Sequence, residues 1–356
     1  GLGNAYNSLG RYEEAISYYQ QSLEIYREIG DRGGEAISLI GLGNAYNSLG
    51  RYEEAISYYQ QSLEIYREIE NRQGVAASLL GLGIAYNSLG RYEEAISYYQ
   101  QSLEIYREIG DRGGEAISLI GLGNAYNSLG RYEEAISYYQ QSLEIYREIE
   151  NRQGVAASLF YLGVTYNSLG RYEDAISYHQ QSLEICREIG DRGGEAISLI
   201  GLGNAYNSLG RYEDAISYHQ QSLEICREIG NRGGEAASLN GLGEVYDALE
   251  NYQQALSLYQ EALTIATEIK SPQSQAEIWF NFGKTLTKLN RIPDAIGAYR
   301  NARQFYQQMQ LDHKIQECDR ALEQLEIPPI PPSPTRWQKI RRWFSQIKQF
   351  FRQLFS

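Results

Sequence analysis

The chain repeats itself every forty residues, and no other feature restricts its fold as much. Residues 1–40 read GLGNAYNSLGRYEEAISYYQQSLEIYREIGDRGGEAISLI, and residues 41–80 open with the same twenty-nine letters. Six rows, to about residue 240, are nearly identical; rows 241–280 and 281–320 diverge but keep the frame. A period of roughly 20–50 residues predicts a stacked array of small units rather than one globular core. Rows ending GDRGGEAISLI alternate with rows ending ENRQGVAASL, so the first half carries an eighty-residue super-repeat. Near-identity of this kind records recent copying and is no measure of functional constraint.

Each row holds two helical patterns. Tyr12, Ala15, Ile16, Tyr19, Leu23, Tyr26 and Ile29 recur at steps of three and four, which predicts helix B of a pair. Glu13 and Glu14 suit the positive N-terminal end of that helix. Ala36, Leu39, Leu42, Tyr46 and Leu49 predict helix A of the next pair. Gly30 and Gly50 mark the two helix ends, although alternate rows put Glu70 where Gly30 stands. Asp31, or Asn71 in alternate rows, is placed to cap helix A. No strand alternation occurs, so the predicted class is all-α. One pair is too small to bury its apolar faces alone, and stacking copies yields a curved rod with a concave and a convex side.

These residues resemble a known family. Leu42, Gly43, Tyr46, Gly50, Tyr52, Ala55 and Tyr59 are similar to the tetratricopeptide repeat signature, as are Trp279, Phe282, Gly283, Ala295, Tyr299 and Ala302. The resemblance covers residues 1 to about 320 in eight frames, the first truncated at its start. It departs from the family in period, forty rather than about 34, and in lacking the proline that commonly ends helix B. Rows of this length look like those of kinesin light chains and Pins/LGN-type spindle-orientation adaptors, and point to a bacterial or cyanobacterial relative.

The resemblance implies an α-solenoid, a right-handed superhelix of antiparallel pairs whose A helices line a concave groove for extended peptides. Carried over by position, the groove residues are Ile40, Asn44, Asn47, Ser48 and their equivalents. The asparagines form a ladder: Asn4, Asn7, Asn44, Asn47, Asn124, Asn127, Asn204 and Asn207. An amide both donates and accepts, so it suits a peptide backbone whatever its side chains. The alternative is that these amides tie neighbouring helices together. Ile84, Val164, Glu244 and Lys284 interrupt the ladder and would lend it local specificity. A carboxylate clamp of Lys, Arg and Asn is not reproduced in the first six rows. Lys284 and Lys288 of the eighth row are set to receive an acidic side chain or a peptide carboxylate, or else are ordinary solvated lysines.

Chemistry beyond binding finds little support. No nucleophile, metalloprotease or P-loop pattern occurs, and the Gly-Leu-Gly that starts each row lacks the third glycine and preceding strand of a dinucleotide site. A non-enzymatic protein without cofactor or metal is expected. His179 and His219, each seven residues before Cys186 or Cys226, read as packing variants of tyrosines rather than metal ligands; His313 and Cys318 show no partner pattern. Three cysteines form no disulfide framework and fit a reducing, cytoplasmic compartment. The net charge of −13 argues against nucleic acid as a partner. No apolar window of about eighteen residues predicts a transmembrane helix. Residue 1 is Gly within a row, so upstream segments are expected. The alternative function is accordingly the sensor or regulatory arm of a larger signalling protein.

The C-terminal part changes character. Residues 313–326 read as a capping helix that overlaps the last row. Residues 327–335 hold five of the seven prolines, a stiff linker. Residues 336–356 predict a basic aromatic amphipathic helix. Trp337, Ile340, Trp343, Phe344, Ile347, Phe350, Phe351, Leu354 and Phe355 share an arc of about 140° at roughly 100° per residue. Lys339, Arg341, Arg342, Lys348 and Arg352 lie opposite, and no acidic side chain is present. With Arg336 the segment carries six positive charges; taking them from −13 leaves −19 for the rest. The pattern fits an in-plane helix on an anionic membrane surface, which would make the protein peripheral to a membrane. Two alternatives stay open: docking on the acidic solenoid as an autoinhibitory segment, or pairing with a partner helix.

Overall fold

The chain turns back on itself twice in every row. The computed structural model describes residues 1–309 and 311–326, which hold seventeen α-helices and no strand. The A helices are α1 (Leu2–Ser8), α3 (Arg32–Ser48), α5 (Arg72–Ser88), α7 (Arg112–Ser128), α9 (Arg152–Ser168), α11 (Arg192–Ser208), α13 (Arg232–Ala248) and α15 (Pro272–Lys288). The B helices are α2 (Tyr12–Ile29), α4 (Tyr52–Glu68), α6 (Tyr92–Ile109), α8 (Tyr132–Glu148), α10 (Tyr172–Ile189), α12 (Tyr212–Glu228), α14 (Tyr252–Glu268) and α16 (Ile292–Gln308). A last helix, α17 (Asp312–Glu326), packs Ile315, Ala321, Leu322 and Leu325 toward the α15–α16 hairpin, and Arg303 Nε donates to Asp319 Oδ1 at 2.6 Å. The linker and amphipathic helix expected at 327–335 and 336–356 lie outside the described residues.

Local chemistry sets the helix limits. The side chain of Asp31 accepts from the Gly34 amide at 2.9 Å, and Asn71 accepts from Gly74 at 2.8 Å, so both row types cap helix A. Gly30 ends α2 at φ 73°; Glu70 takes the same left-handed conformation at φ 55°, where a side chain is strained. At the A-to-B turn the Arg51 guanidinium lies 4.5 Å over the Tyr46 ring and donates to Glu54 at 2.6 Å, while Tyr46 stacks on Tyr58 at 5.2 Å. The second carboxylate of each Glu–Glu pair thus holds the turn arginine.

One packing device explains the excess of glycine and tyrosine. Tyr59 of α4 is 1% exposed, wedged between Gly43 of α3 and Gly81 of α5. A Cβ on either glycine would come within 2.6 or 2.5 Å of the ring. The missing methyl groups let the ring pass between successive A helices. Tyr66 likewise covers Gly74, where a Cβ would lie 2.3 Å away. Burying such a ring stabilises by about 1.5–3 kcal/mol, and the device recurs along the array.

Junctions between the copied pairs come in two kinds. Glu35 is buried and accepts from Arg27 Nε at 2.9 Å and Arg32 Nη1 at 2.6 Å, and Arg32 also reaches Glu68. In the alternate rows Val75 and Val155 fill this slot. Successive A helices, such as α3 and α5 or α11 and α13, also touch each other directly, whereas successive B helices show no comparable contact. The A helices therefore lie on the inside of the curve.

Candidate functional site in the concave groove

On α3 the inner strip is Ile37, Ile40, Asn44 and Asn47, spaced so that all four share one face. The strip recurs as Ile117, Ile120, Asn124 and Asn127 on α7, and as Ile197, Ile200, Asn204 and Asn207 on α11. On α5 it reads Ala77, Leu80, Ile84 and Asn87, and on α9 Ala157, Phe160, Val164 and Asn167. Ile37, Ile117 and Ile197 are 63%, 45% and 43% exposed, so the groove presents an apolar side chain at eighty-residue spacing. Sequence reasoning passed over these three isoleucines. The available signal was their place one turn before Ile40 on the same face.

The ladder amides have different surroundings at the two positions. Asn44 is exposed, and its Oδ1 accepts from the Tyr59 hydroxyl at 2.7 Å; Tyr19 donates to Asn4 at 2.6 Å and Tyr139 to Asn124 at 2.7 Å. This bond orients the amide, and its NH2 group has no acceptor among the described residues. The inner position is deeper. The Oδ1 atoms of Asn7, Asn47, Asn87, Asn167 and Asn207 are buried without a partner, whereas Asn127 accepts from Thr165 at 3.1 Å. The position thirty-eight residues on is Thr after Asn127 and Ala or Val after the other asparagines; Thr285 stands there after Asp247 and donates to it at 2.7 Å. Part of the ladder therefore joins helices, and part faces the groove.

His179 and His219 take the tyrosine slot. His219 is fully buried between Gly203 and Gly241, and neither ring nitrogen has a partner. Burial pulls both imidazoles down to about 4. Cys186 and Cys226 are buried against Gly194 and Gly234, where tyrosine stands in other rows. No group of three or more His, Cys, Asp or Glu able to hold a metal occurs among the described residues. Nor is any described helix long and apolar enough to cross a membrane. The proposed membrane-contact residues, Trp337 through Phe355, lie outside the described residues.

The C-terminal end of the groove is charged. Glu244 Oε1 accepts from Asn281 Nδ2 at 2.6 Å and Asn240 Nδ2 at 2.9 Å. Lys284 donates to Asn281 Oδ1 at 3.3 Å and lies 6.0 Å over the Phe280 ring. Lys288 donates to Asp247 at 2.5 Å, so its charge is already engaged. Glu277 is exposed and accepts from Gln273 Nε2 at 3.3 Å. Burial pushes the carboxyl of Glu244 up.

Comparison with known proteins agrees with this architecture. The tetratricopeptide repeat model matches residues 1–68, 74–148, 154–228 and 234–308. No curated protein matches. Among solved structures, the apo form of RapI superposes with a TM-score of 0.62 at 17% identity, over 80% of this chain and 99% of that one. A Rap protein complexed with Competence and Sporulation Factor gives 0.61 at 16% identity, over 91% of this chain and 96% of that one. A signal transduction ATPase with numerous domains and a tetratricopeptide repeat sensor, from Pyrococcus horikoshii, gives 0.60 at 20% identity, over 88% of this chain and 47% of that one. At these identities the likeness is one of fold.

Proposed function

The chain belongs to the tetratricopeptide repeat family, and from that premise we propose that it is a non-enzymatic scaffold whose concave groove binds an extended peptide or partner helix. One observation carries the reading: the Tyr-oriented amides of Asn4, Asn44 and Asn124 present unclaimed N–H donors along one strip, beside exposed Ile37 and Ile117. Donors fixed in advance meet backbone carbonyls at low entropic cost, and the isoleucines receive alternate side chains. The test is selection of binders from a random peptide display library against the full chain, followed by N44A/N47A/N124A/N127A. Loss of capture supports the reading; undiminished capture removes the ladder as the site.

Residues 336–356 add a second element to the proposal, a tether to an anionic membrane surface, favoured by their segregated cationic and aromatic faces. Co-sedimentation with phosphatidylserine vesicles should fall when these residues are deleted. Unchanged binding would leave the tail as an autoinhibitory segment or a helix-pairing one. The sensor-arm alternative is tested by the full-length gene, which would have to encode an effector domain upstream.

A further inference from the structure

The charged end of the groove differs from the rest in what it lacks. A cavity of about 450 Å³ opens between α11, α13 and α15, lined among others by Asn204, Asn240, Gly241, Glu244 and Glu277. Among the described residues, Glu244 and Glu277 have no cationic partner within ion-pair distance, and Glu244 Oε2 takes no hydrogen bond. The four buried glutamates at the pair junctions, Glu35, Glu115, Glu195 and Glu235, each hold two arginines. Lys284 is occupied with Asn281 and Lys314 with Glu317, so two carboxylates against one ammonium leave a net negative charge at the cavity.

A second feature points the same way. At Tyr19, Tyr59 and Tyr139 the ring in this slot ends with its hydroxyl on the groove asparagine. His219 fills the same slot between Gly203 and Gly241, and Gly241 lines the cavity together with Asn204. Its ring is one hydroxyl shorter, so Asn204 gains no donor there, and both imidazole nitrogens stay unpartnered although the side chain is fully buried. The cavity wall thus offers unused acceptors on two carboxylates and an amide, with an unsatisfied imidazole behind them. A group with several N–H donors and a positive charge complements such a set.

We propose that this cavity is a specificity pocket for a cationic side chain, arginine or lysine, of the peptide that lies along the asparagine ladder. The pocket rests on the groove reading above and adds to it the chemistry of one ligand position. The net negative charge of the array would steer such a peptide inward.

The experiment measures binding of two capped nonapeptides to the full chain by NMR titration. Each has an alanine–serine background with arginine or citrulline at its centre. The arginine peptide should bind at least tenfold tighter, and E244Q/E277Q should bring the ratio near one. E24Q/E64Q, which removes the same charge from exposed positions of α2 and α4, should leave the ratio unchanged. The amide oxygen that E244Q introduces can still accept from Asn240 and Asn281, and a thermal melt checks the fold of each variant. Equal affinity for both peptides, or a ratio untouched by E244Q/E277Q, overturns the pocket and leaves the groove reading standing. Binding of neither peptide overturns both.

Discussion

Between α3 and α11 the inner strip is uncharged, and the rings of Tyr59, Tyr99 and His179 are each clamped between two glycines, while Tyr139 meets Gly123 on one side and stacks on Tyr161 on the other. At α13 and α15 the same frame carries Asn240, Glu244, Asp247, Glu277 and Lys284. On α15 the clamp is looser: Asn281 replaces the first glycine of its row, and a Cβ on Gly283 would stay 3.0 Å from the Tyr299 ring, whereas Gly241 and Gly243 of α13 keep the close fit. The copied rows act as interchangeable tiles, alike in packing and uncharged in the groove. The diverged rows give up part of that packing uniformity and place charge on the inner strip. Under the groove reading proposed above, ligand discrimination falls where the copies cease to be copies.

The contrast breaks most visibly at a glycine. Gly81→Ala would set a methyl group 2.5 Å from a Tyr59 ring that has no room to move. We expect a local loss of about 2–3 kcal/mol. Gly283→Ala should be near neutral, because milder crowding is offset by about 1 kcal/mol of helix propensity. Hydrogen exchange in α4–α5 and in α15–α16 is the proper readout, since stability in a solenoid is summed over neighbours. Equal effects at the two sites would show that the clamp is not what holds the copied rows.

Acid should weaken the fifth and sixth rows before the others. The imidazoles of His179 and His219 titrate near 6.5 when unfolded and are pulled down to about 4 in the fold. Their neutral burial is fully favourable above pH 6.5 and is lost as pH falls toward 4. At pH 5 the loss is about 2 kcal/mol per histidine. Amide protection in α10 and α12 should drop between pH 7 and pH 5 while α4 and α6 hold. H179Y/H219Y, which restores the tyrosine of the other rows, should abolish the difference.

Much of the architecture was legible because it is periodic. The forty-residue frame, the helix pairs and the Asp31 and Asn71 caps follow from apolar spacing and side-chain chemistry. The position of the groove needed the family resemblance, because periodicity does not say which helix lies inside the curve. The clamp was hidden for a different reason. Gly41 and Gly43 in mid-helix look like weak helix positions until the ring that replaces their side chains is seen. Glu35 lies in the first turn of α3, yet it is buried, because its two arginines approach from different segments of the chain. Glu277 was missed because row eight departs from the copied rows and offers no sister position for comparison.

A finer test concerns the orphaned inner amides. Thr165 supplies Asn127 with the donor that Asn47 lacks, and Ala85 is the matching position. Ala85→Thr should give Asn47 its partner, while Ala85→Val adds similar bulk without the hydroxyl. The two variants should differ by about 1 kcal/mol in favour of threonine. No difference would mean that Asn47 already satisfies its oxygen through water from the groove.

The smallest expected effect lies at the junctions, and it separates what is shared by the two halves from what distinguishes them. Glu35→Val installs the residue that alternate rows already use. Removing a buried carboxylate costs little when an apolar group of suitable size replaces it and its arginines, both partly exposed, return to water. A change within about 0.5 kcal/mol is expected at pH 7. The sign in acid is informative. Burial raises the Glu35 carboxyl, but hydrogen bonds from Arg27 and Arg32 and their charges outweigh it and hold it below its ordinary value. Its contribution is therefore present above the unfolded pKa, near 4.5, and fades as pH falls through the lower folded one. Denaturant melts below pH 4.5 should find Glu35→Val more stable than the parent, and a parent that stays ahead there would show that the arginine network has a role beyond filling the slot.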